Sequence, residues 1–168
     1  MSRPELATGD AASRLAELGI ELPAPPSALG AYTPFVLAGD LLLTSGVLPL
    51  VDGVLRCAGA VGADVGVEEA AAAARICALN LLALMQAATG SLDAVRQVLR
   101  LDGWVRSAPG FTAQPAVLNG ASELMVDVLG ERGRHTRTAV GAAELPLGAA
   151  VEASAMVRVF PDLVAPRR

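Results

Sequence analysis

The segment from Ala70 to Ala88 limits the possible fold more than any other part of the chain, because it is long, apolar and rich in alanine. Three polar residues interrupt it, and such interruptions in a segment barely long enough to cross a bilayer favour a buried helix over a membrane span. Glu68 suits the N-terminal end of a helix, and Gly90 suits a helix end. The pattern therefore predicts a buried helix over Val67–Thr89.

Alternating apolar and polar residues after this helix predict an α+β fold. The alternation in Val95–Arg106 and in Ala150–Val159 is typical of strands with one buried face. A second helix is predicted over Gln114–Leu129, because Pro115 fits a first helical turn and Gly130 fits a helix end. The remaining predicted elements are a short helix over Ala11–Leu18 and strands over Pro34–Ala38, Leu41–Val47, Val54–Arg56 and Thr138–Ala143.

The order β-β-β-α-β-α-β-β predicts a mostly antiparallel sheet with both long helices packed on one face. In Val95–Arg106 the alternation directs Leu99 and Leu101 to one side of the strand. In the last strand Glu152 and Met156 alternate with positions expected to be buried, so the second face carries both polar and apolar groups. Such a face suits association between subunits, with polar ligands held between chains.

Length and composition are typical of one small domain with a single core. The chain has 168 residues, of which 53 % are hydrophobic and only 3 % aromatic, so many small contacts are expected to build the core. We expect a helical extension with a proline-rich linker over residues 1–25, a domain over 26–160 and a tail over 161–168. Charged residues near the N-terminus argue against a secretory signal, and we expect a cytoplasmic protein.

Charge and cysteine content argue against nucleic-acid and metal partners. The net charge of −4 provides no general positive field to attract phosphate backbones. Cys57 and Cys77 are expected to be reduced structural thiols, because they form neither a disulfide framework nor a closely spaced zinc-binding pair. The lone His135 and the scattered carboxylates give little support for a metal site. We expect His135 to be a solvated loop residue, and the alternative is a proton donor near a ligand cleft, two residues before Arg137.

The segment Arg137–Ala155, RTAVGAAELPLGAAVEASA, contains the most informative motif. The chain lacks the short motifs of common hydrolases, nucleotide-binding proteins and zinc peptidases. The pattern R-S/T-x-V, then L-P-x-G, then V-E resembles the signature of the Rid/YjgF family, in a divergent subgroup. Gly30-Ala31-Tyr32 resembles the family's G-P-Y, Thr44-Ser45-Gly46 resembles its T-S-G, and Asn119 lies before a helix as the family's Asn does. The resemblance extends over Pro26–Val159.

This resemblance implies a fold like that of the trimeric chorismate mutases, assembled as a homotrimer with clefts between subunits. It also implies hydrolysis of reactive 2-imino or enamino acids to 2-oxo acids and ammonia, without a cofactor. By position, Arg137 would hold the substrate carboxylate, and Glu152 would orient water or the imine nitrogen. The residues implied to line the substrate pocket are Tyr32, Ser45, Asn119 and Ala139.

Elementary chemistry supports the two central roles. A guanidinium offers paired donors that match a carboxylate, and imine hydrolysis needs mainly an oriented water and proton transfer. Simpler interpretations stand beside these roles. Arg137 can form a surface ion pair and Glu152 an intersubunit salt bridge. Asn119 can cap a helix turn, and Tyr32 and Ser45 can be ordinary turn and strand residues.

Two residues depart from the family pattern and bear on activity. Ala139 stands where many family deaminases have Cys, and Val47 stands where Gln often follows the serine-glycine pair. Three functions therefore remain open: imine or enamine hydrolysis, a noncatalytic trimer that binds small carboxylate metabolites through Arg137, and ribonuclease activity, which the acidic composition disfavours. Trp104 and Phe111 are expected to pack rather than to bind substrate.

Overall fold

The elements of the fold follow the predicted order, with one addition before the central helix. A computed structural model describes residues 11–27 and 30–165, and positions 1–10 of the predicted extension, 28–29, and 166–168 of the predicted tail lie outside the described residues. The helices are α1 (Ala11–Glu17), α2 (Val67–Thr89) and α3 (Gln114–Leu129). The strands are β1 (Phe35–Ala38), β2 (Leu41–Thr44), β3 (Leu50–Val51), β4 (Val54–Leu55), β5 (Val95–Arg106), β6 (Thr136–Ala142) and β7 (Val151–Val159).

Strands β1, β2, β7, β5 and β6 form one sheet in that order. Neighbouring strands are antiparallel except β5 and β6, which are parallel because α3 connects them as a crossover. Both long helices cover one face: Gly103 of β5 lies against Leu118 of α3, and Cys77 Sγ of α2 lies 4.0 Å from the carbonyl oxygen of Val151 in β7. The predicted fold class, a mostly antiparallel α+β sheet with a short additional N-terminal helix, is confirmed.

The prediction of three strands before the central helix is wrong, because the two-residue strand β3 precedes the predicted one. Strands β3 and β4 pair as a small hairpin outside the main sheet. Asp52 and Gly53 join them with φ angles of 52° and 75°, and two positive φ angles match the twist of a two-residue hairpin loop. A strand of two residues is too short to leave an alternating pattern in the sequence.

Strands β5 and β6 differ from the predicted strands in ways that matter for the site. Strand β6 begins at Thr136 rather than Thr138, so it includes Arg137. In β5 a register shift against β7 between Val98 and Arg100 forms a β-bulge, which buries Val98 and leaves Leu99 only partly buried. Leu99 and Leu101, which the alternation placed on one side of the strand, therefore differ in burial.

Helix α2 has the predicted bounds and lies in the core. Among the described residues, α2 alone is long and apolar enough to cross a membrane. However, 61 % of its most apolar 18-residue stretch is buried inside the fold. The core helix of a globular domain passes the same test of length and composition. Cys77 on this helix, like Cys57, is buried and unpaired, which agrees with the predicted structural thiols.

The described part of the N-terminal extension packs onto the domain. Leu15, Ile20 and Leu22 lie against the core. Residues Pro23–Ser27, which we call the proline strap, follow without regular secondary structure. Because prolines fix their φ angles and cannot donate a backbone hydrogen bond, they keep the strap extended and stiff.

Glycines let α3 pack closely on its two neighbours. An added Cβ on Gly120 would lie 2.0 Å from the carbonyl oxygen of Ala71 on α2, and one on Gly103 would lie 2.3 Å from Leu118 Cδ1 on α3. Only residues without a side chain permit such separations. Because Asn119 precedes Gly120, the contact with α2 also determines how far Asn119 lies from the edge strand β6.

We expect Gly120→Ala to destabilise the protein although alanine is the better helix former. Replacing glycine by alanine inside a helix gains about 1 kcal/mol, whereas overpacking costs roughly 1–3 kcal/mol and the clashing carbonyl belongs to a backbone that cannot rotate away. Thermal unfolding should show a lower midpoint for Gly120→Ala and little change for Glu123→Ala, an exposed position of the same helix. A midpoint at or above that of the wild type would contradict the close contact.

Candidate functional site

Arg137 lies on the edge strand β6, and two residues of α3 hold its guanidinium. Nη1 donates to Asn119 Oδ1 at 2.9 Å and to Ser122 Oγ at 3.1 Å. Asn119 and Ser122 are three residues apart, so they lie on the same face of α3. None of the ion pairs within residues 11–27 and 30–165 involves Arg137. Neutral groups therefore orient the guanidinium, and no carboxylate among the described residues pairs with its charge.

The hydrogen bonds around Arg137 continue to His135. His135 Nδ1 lies 2.6 Å from the carbonyl oxygen of Gly133, which can only accept, so Nδ1 carries a proton. In the neutral ring Nε2 then accepts from the Ser122 hydroxyl, at 3.0 Å. His135 lies in a loop as expected, but it is partly buried rather than fully solvated, and it supports the serine that orients Arg137.

Two other predicted pocket residues lie beside Arg137. Asn119 is inside α3, in its second turn, and not before a helix as the resemblance implied. From this position its amide oxygen reaches across to β6. Ala139 pairs with Gly103 and packs against the core, on the same face of the sheet as Arg137. Arg137, Asn119 and Ala139 thus form one group, which we call the arginine group.

Glu152, Tyr32 and Ser45 form a second group around a cavity of about 250 Å³, the glutamate cavity. The Glu152 carboxylate lies over Gly46, where an added Cβ would be 2.0 Å from Oε1. The Ser45 hydroxyl donates to the carbonyl oxygen of Thr33 at 2.7 Å, which holds the loop that carries Tyr32. The rest of the lining is mostly apolar. It consists of Pro26, Ser27, Pro34, Gly46, Val47, Leu48, Leu50, Leu84 and Pro146.

The carboxylate of Glu152 has no hydrogen bond or ion pair with any residue in the described part of the chain. Burial raises the pKa of the Glu152 carboxyl above its ordinary value. Burial also raises the pKa of the Cys77 thiol, with a smaller contribution from the nearby Glu152. An unpaired carboxylate among apolar groups costs stability, and such groups are concentrated where proteins bind ligands or transfer protons.

A single chain keeps Arg137 and Glu152 apart. Arg137 pairs with Leu101, which pairs with Ala155, so Arg137 lies on the face that the helices cover. Glu152 pairs with Trp104 and alternates with buried residues of β7, so it lies toward the other face. Two strand spacings of about 4.8 Å and three residue rises of about 3.3 Å put their Cα atoms roughly 14 Å apart. One chain therefore does not present both groups to one small ligand.

Other candidate residues have mainly structural contacts. Phe111 packs against the core and closely approaches Gly62. Trp104 lies beside Glu152 on the face without helices. Val47 is buried and forms an isolated bridge with Ala153. The described residues contain no group of three or more His, Cys, Asp or Glu side chains that could hold a metal ion.

Sequence reasoning missed three contributors to the site. Ser122 could have been found from its spacing of three residues after Asn119 on a predicted helix. Gly46 belongs to a motif that was noticed, but its close approach to Glu152 depends on how β2 and β7 pair. The proline strap leaves no signal of its contact with the glutamate cavity, because the two are distant in sequence.

Comparison with known proteins agrees with this fold. The model of the family described as "YjgF/chorismate mutase-like, putative endoribonuclease" matches residues 12–163. Protein TCP17 of Trypanosoma cruzi is 47 % identical over 155 residues, which cover 92 % of this chain and 97 % of that protein.

Two crystal structures resemble this chain to different degrees. A Shewanella oneidensis protein, described as "a putative endoribonuclease", is 35 % identical to this chain with a TM-score of 0.87. The match covers 90 % of this chain and 100 % of that one. The YjgF gene product of Escherichia coli is 25 % identical, with a TM-score of 0.58, over 82 % and 94 % of the two chains. The fold is thus that of the chorismate mutase-like α+β proteins. The chain belongs to the YjgF family, in a subgroup divergent from the Escherichia coli protein.

We expect Glu152→Gln to change the pH dependence of stability. Because the native pKa of Glu152 is raised, the protonated carboxyl contributes stability that is complete below the unfolded-state pKa and is lost as pH rises through the native pKa. The unfolding midpoint of the wild type, relative to that of Glu152→Gln, should therefore fall from about pH 4 upward and then level off. Calorimetry across this range measures the difference, with the exposed Glu123→Gln as control. A difference that is independent of pH would contradict the raised pKa.

Proposed function

We propose that this protein hydrolyses reactive 2-imino or enamino acids to 2-oxo acids and ammonia, or performs a closely related reaction on small carboxylates. The observation that carries the proposal is the Glu152 carboxylate, which is partly buried beside an apolar cavity without a partner among the described residues. Arg137 supplies the complementary charge, since its ordered guanidinium has no acidic partner in the same part of the chain.

In this proposal Glu152 moves the protons. Water adds to the imine carbon, and the electron pair of the C=N double bond moves to nitrogen as the C–O bond forms. The Glu152 carboxylate takes a proton from this water and returns a proton to the nitrogen. The hydroxyl proton of the resulting aminoalcohol then passes through Glu152 to the amine nitrogen, the C=O bond forms as the C–N bond breaks, and ammonia leaves. Burial shifts the pKa of Glu152 upward, in the direction of the working pH at which an acid–base group is most effective.

Arg137 binds the substrate carboxylate in this proposal. Asn119 and Ser122 engage Nη1, and no hydrogen bond between described residues uses Nε or Nη2. Those two nitrogens offer parallel donors that match the two oxygens of a carboxylate. Because the hydrogen bonds to α3 hold the guanidinium in one orientation, little of its freedom remains to be lost when the ligand binds.

We further propose that a neighbouring copy in a homotrimer supplies the Arg137 that faces each Glu152. The two residues lie toward opposite faces of one sheet, so a second chain is needed to bring them together. The face without helices favours association, because it exposes several large apolar side chains on adjoining strands. These side chains are Val36, Leu43, Val140 and Met156.

A second candidate function is noncatalytic binding of small carboxylates through Arg137. The observation that favours it is the chemistry around the guanidinium: Ala139 is apolar, and Asn119 and Ser122 are engaged in orienting Arg137. Those groups suffice to bind an anion without transforming it. Ribonuclease activity has the least support, because the net charge of −4 gives no general attraction for a phosphate backbone. The proposed location is the cytoplasm, with neither nucleic acid nor membrane as partner and without a cofactor.

We expect Glu152→Gln to lower turnover far more than substrate binding. Loss of a general acid–base group costs roughly 10²- to 10⁴-fold in rate, and the amide keeps the size of the side chain. Gly46→Ala is a second probe, because its Cβ displaces the Glu152 carboxylate without removing it. Removal of imines generated in place should slow in both variants and stay normal in Gly66→Ala, whose Cβ meets no atom within 4 Å. Normal turnover in Glu152→Gln would refute the catalytic role and favour binding alone.

A mixture of two inactive variants tests whether copies share each site. Arg137→Ala and Glu152→Gln should each be inactive alone, because each variant breaks one half of every site. After joint unfolding and refolding, random pairing should give about one quarter of the sites an intact Arg137 from one copy and an intact Glu152 from its neighbour. We expect a similar fraction of wild-type activity, with light scattering showing the mass of three chains. An assembled mixture without recovered activity would overturn the shared site.

A further inference from the structure

The glutamate cavity reaches into the core of the domain. Leu48 and Leu84, which line it, are only 6 % and 1 % exposed, and Leu50 of β3 and Pro26 of the strap complete its apolar walls. Among the described residues that line the cavity, Glu152 is the only charged one. An apolar interior with a single acid–base group fits the side chain of a ligand and not its carboxylate.

The volume of the cavity exceeds what the smallest imino acids need. At about 30 Å³ for each water-sized group, a cavity of about 250 Å³ holds about eight non-hydrogen atoms. With the carboxylate held outside by Arg137, the reacting carbon and nitrogen occupy two of these positions. The remaining space suits a side chain of about four to six carbons, whereas an alanine-derived imine would leave most of the apolar wall unfilled.

The proline strap limits the cavity on one side. A second cavity of about 270 Å³ is also lined by Pro26, Ser27 and Leu50, so these three residues separate the two spaces. A cavity wall that includes a proline deforms little, because the proline ring fixes the local backbone. The strap therefore sets the depth of the glutamate cavity and belongs to the elements that select the ligand.

We infer that the substrates are imino acids with an aliphatic side chain of the size of leucine's, which packs between Leu48, Leu50, Leu84 and the strap. This inference rests on the proposed imine hydrolysis and names its substrate class. Each additional buried carbon strengthens binding, and pocket selectivity acts on the ratio of kcat/KM values. The leucine-derived imine should therefore exceed the alanine-derived imine by at least about tenfold in kcat/KM.

Imines made in place provide the turnover measurement. D-Amino-acid oxidase produces them from D-leucine or D-alanine, and the configuration of the amino acid is immaterial because the imine carbon is planar. Competition with semicarbazide, corrected for spontaneous hydrolysis, gives the rate of imine removal by the wild-type assembly. A tenfold preference for the leucine-derived imine supports the inference, and equal rates or a preference for the smaller imine overturn it.

Binding of stable 2-oxo acids separates this inference from the proposed activity. Calorimetry should show tighter binding of 4-methyl-2-oxopentanoate than of pyruvate. That preference without turnover of either imine would refute the proposed hydrolysis while supporting the assigned ligand class. Turnover without any preference in either measurement would leave the hydrolysis standing and overturn the substrate class. Absence of both turnover and binding would refute both.

Two substitutions in the β3–β4 hairpin show whether the cavity sets the preference. Leu50→Phe narrows the cavity and should reduce or reverse the ratio of leucine-derived to alanine-derived turnover. Val54→Phe adds the same ring at a position that is 56 % exposed and outside the lining, so the ratio should not change. If Leu50→Phe unfolds, Leu50→Ala serves instead, because it removes apolar contact and should also lower the ratio. An unchanged ratio in a folded Leu50 variant would overturn the inference.

Discussion

The close contact between α3 and α2 at Gly120 determines the position of much of this structure. Without a Cβ at that residue, the backbone of α3 meets the carbonyl of Ala71, and Leu118 meets the backbone of β5 at Gly103. At this height over the sheet, Asn119 and Ser122 reach the guanidinium of Arg137. A helix lifted by one methyl group would draw both donor-acceptor pairs apart. Packing in the core and orientation of the Arg137 guanidinium thus depend on the same absent side chain.

The sequence predicts the long elements well, because each repeats a period often enough to be recognised. Helices α2 and α3 and strand β5 have the predicted bounds. Two features escaped prediction for a common reason, since each depends on pairing with a distant strand. Strand β3 is too short to show a period, and the β-bulge that buries Val98 in place of Leu99 follows from the register against β7.

The candidate site shows the same division between local and distant information. Motif resemblance identified Arg137 and Glu152, and the properties of the two side chains support roles in anion binding and proton transfer. Their placement toward opposite faces follows only from strand register. Arg137 pairs with Leu101 and Glu152 pairs with Trp104, and residues 101 and 104 of β5 point to opposite sides of the sheet. The bonds of His135 and the apolar wall formed by the strap likewise join segments whose proximity only the folded chain creates.

The separation of Arg137 from Glu152 has a consequence for how the proposed activity would vary with protein concentration. In the proposed site shared between copies, an isolated folded chain would be idle, because its Arg137 and its Glu152 would serve different ligands. Specific activity then follows the dissociation constant of the assembly by mass action and falls on dilution before any chain unfolds. A substitution on the exposed sheet face, far from any substrate atom, would lower the concentration of working sites while leaving the rate constant of each remaining site unchanged.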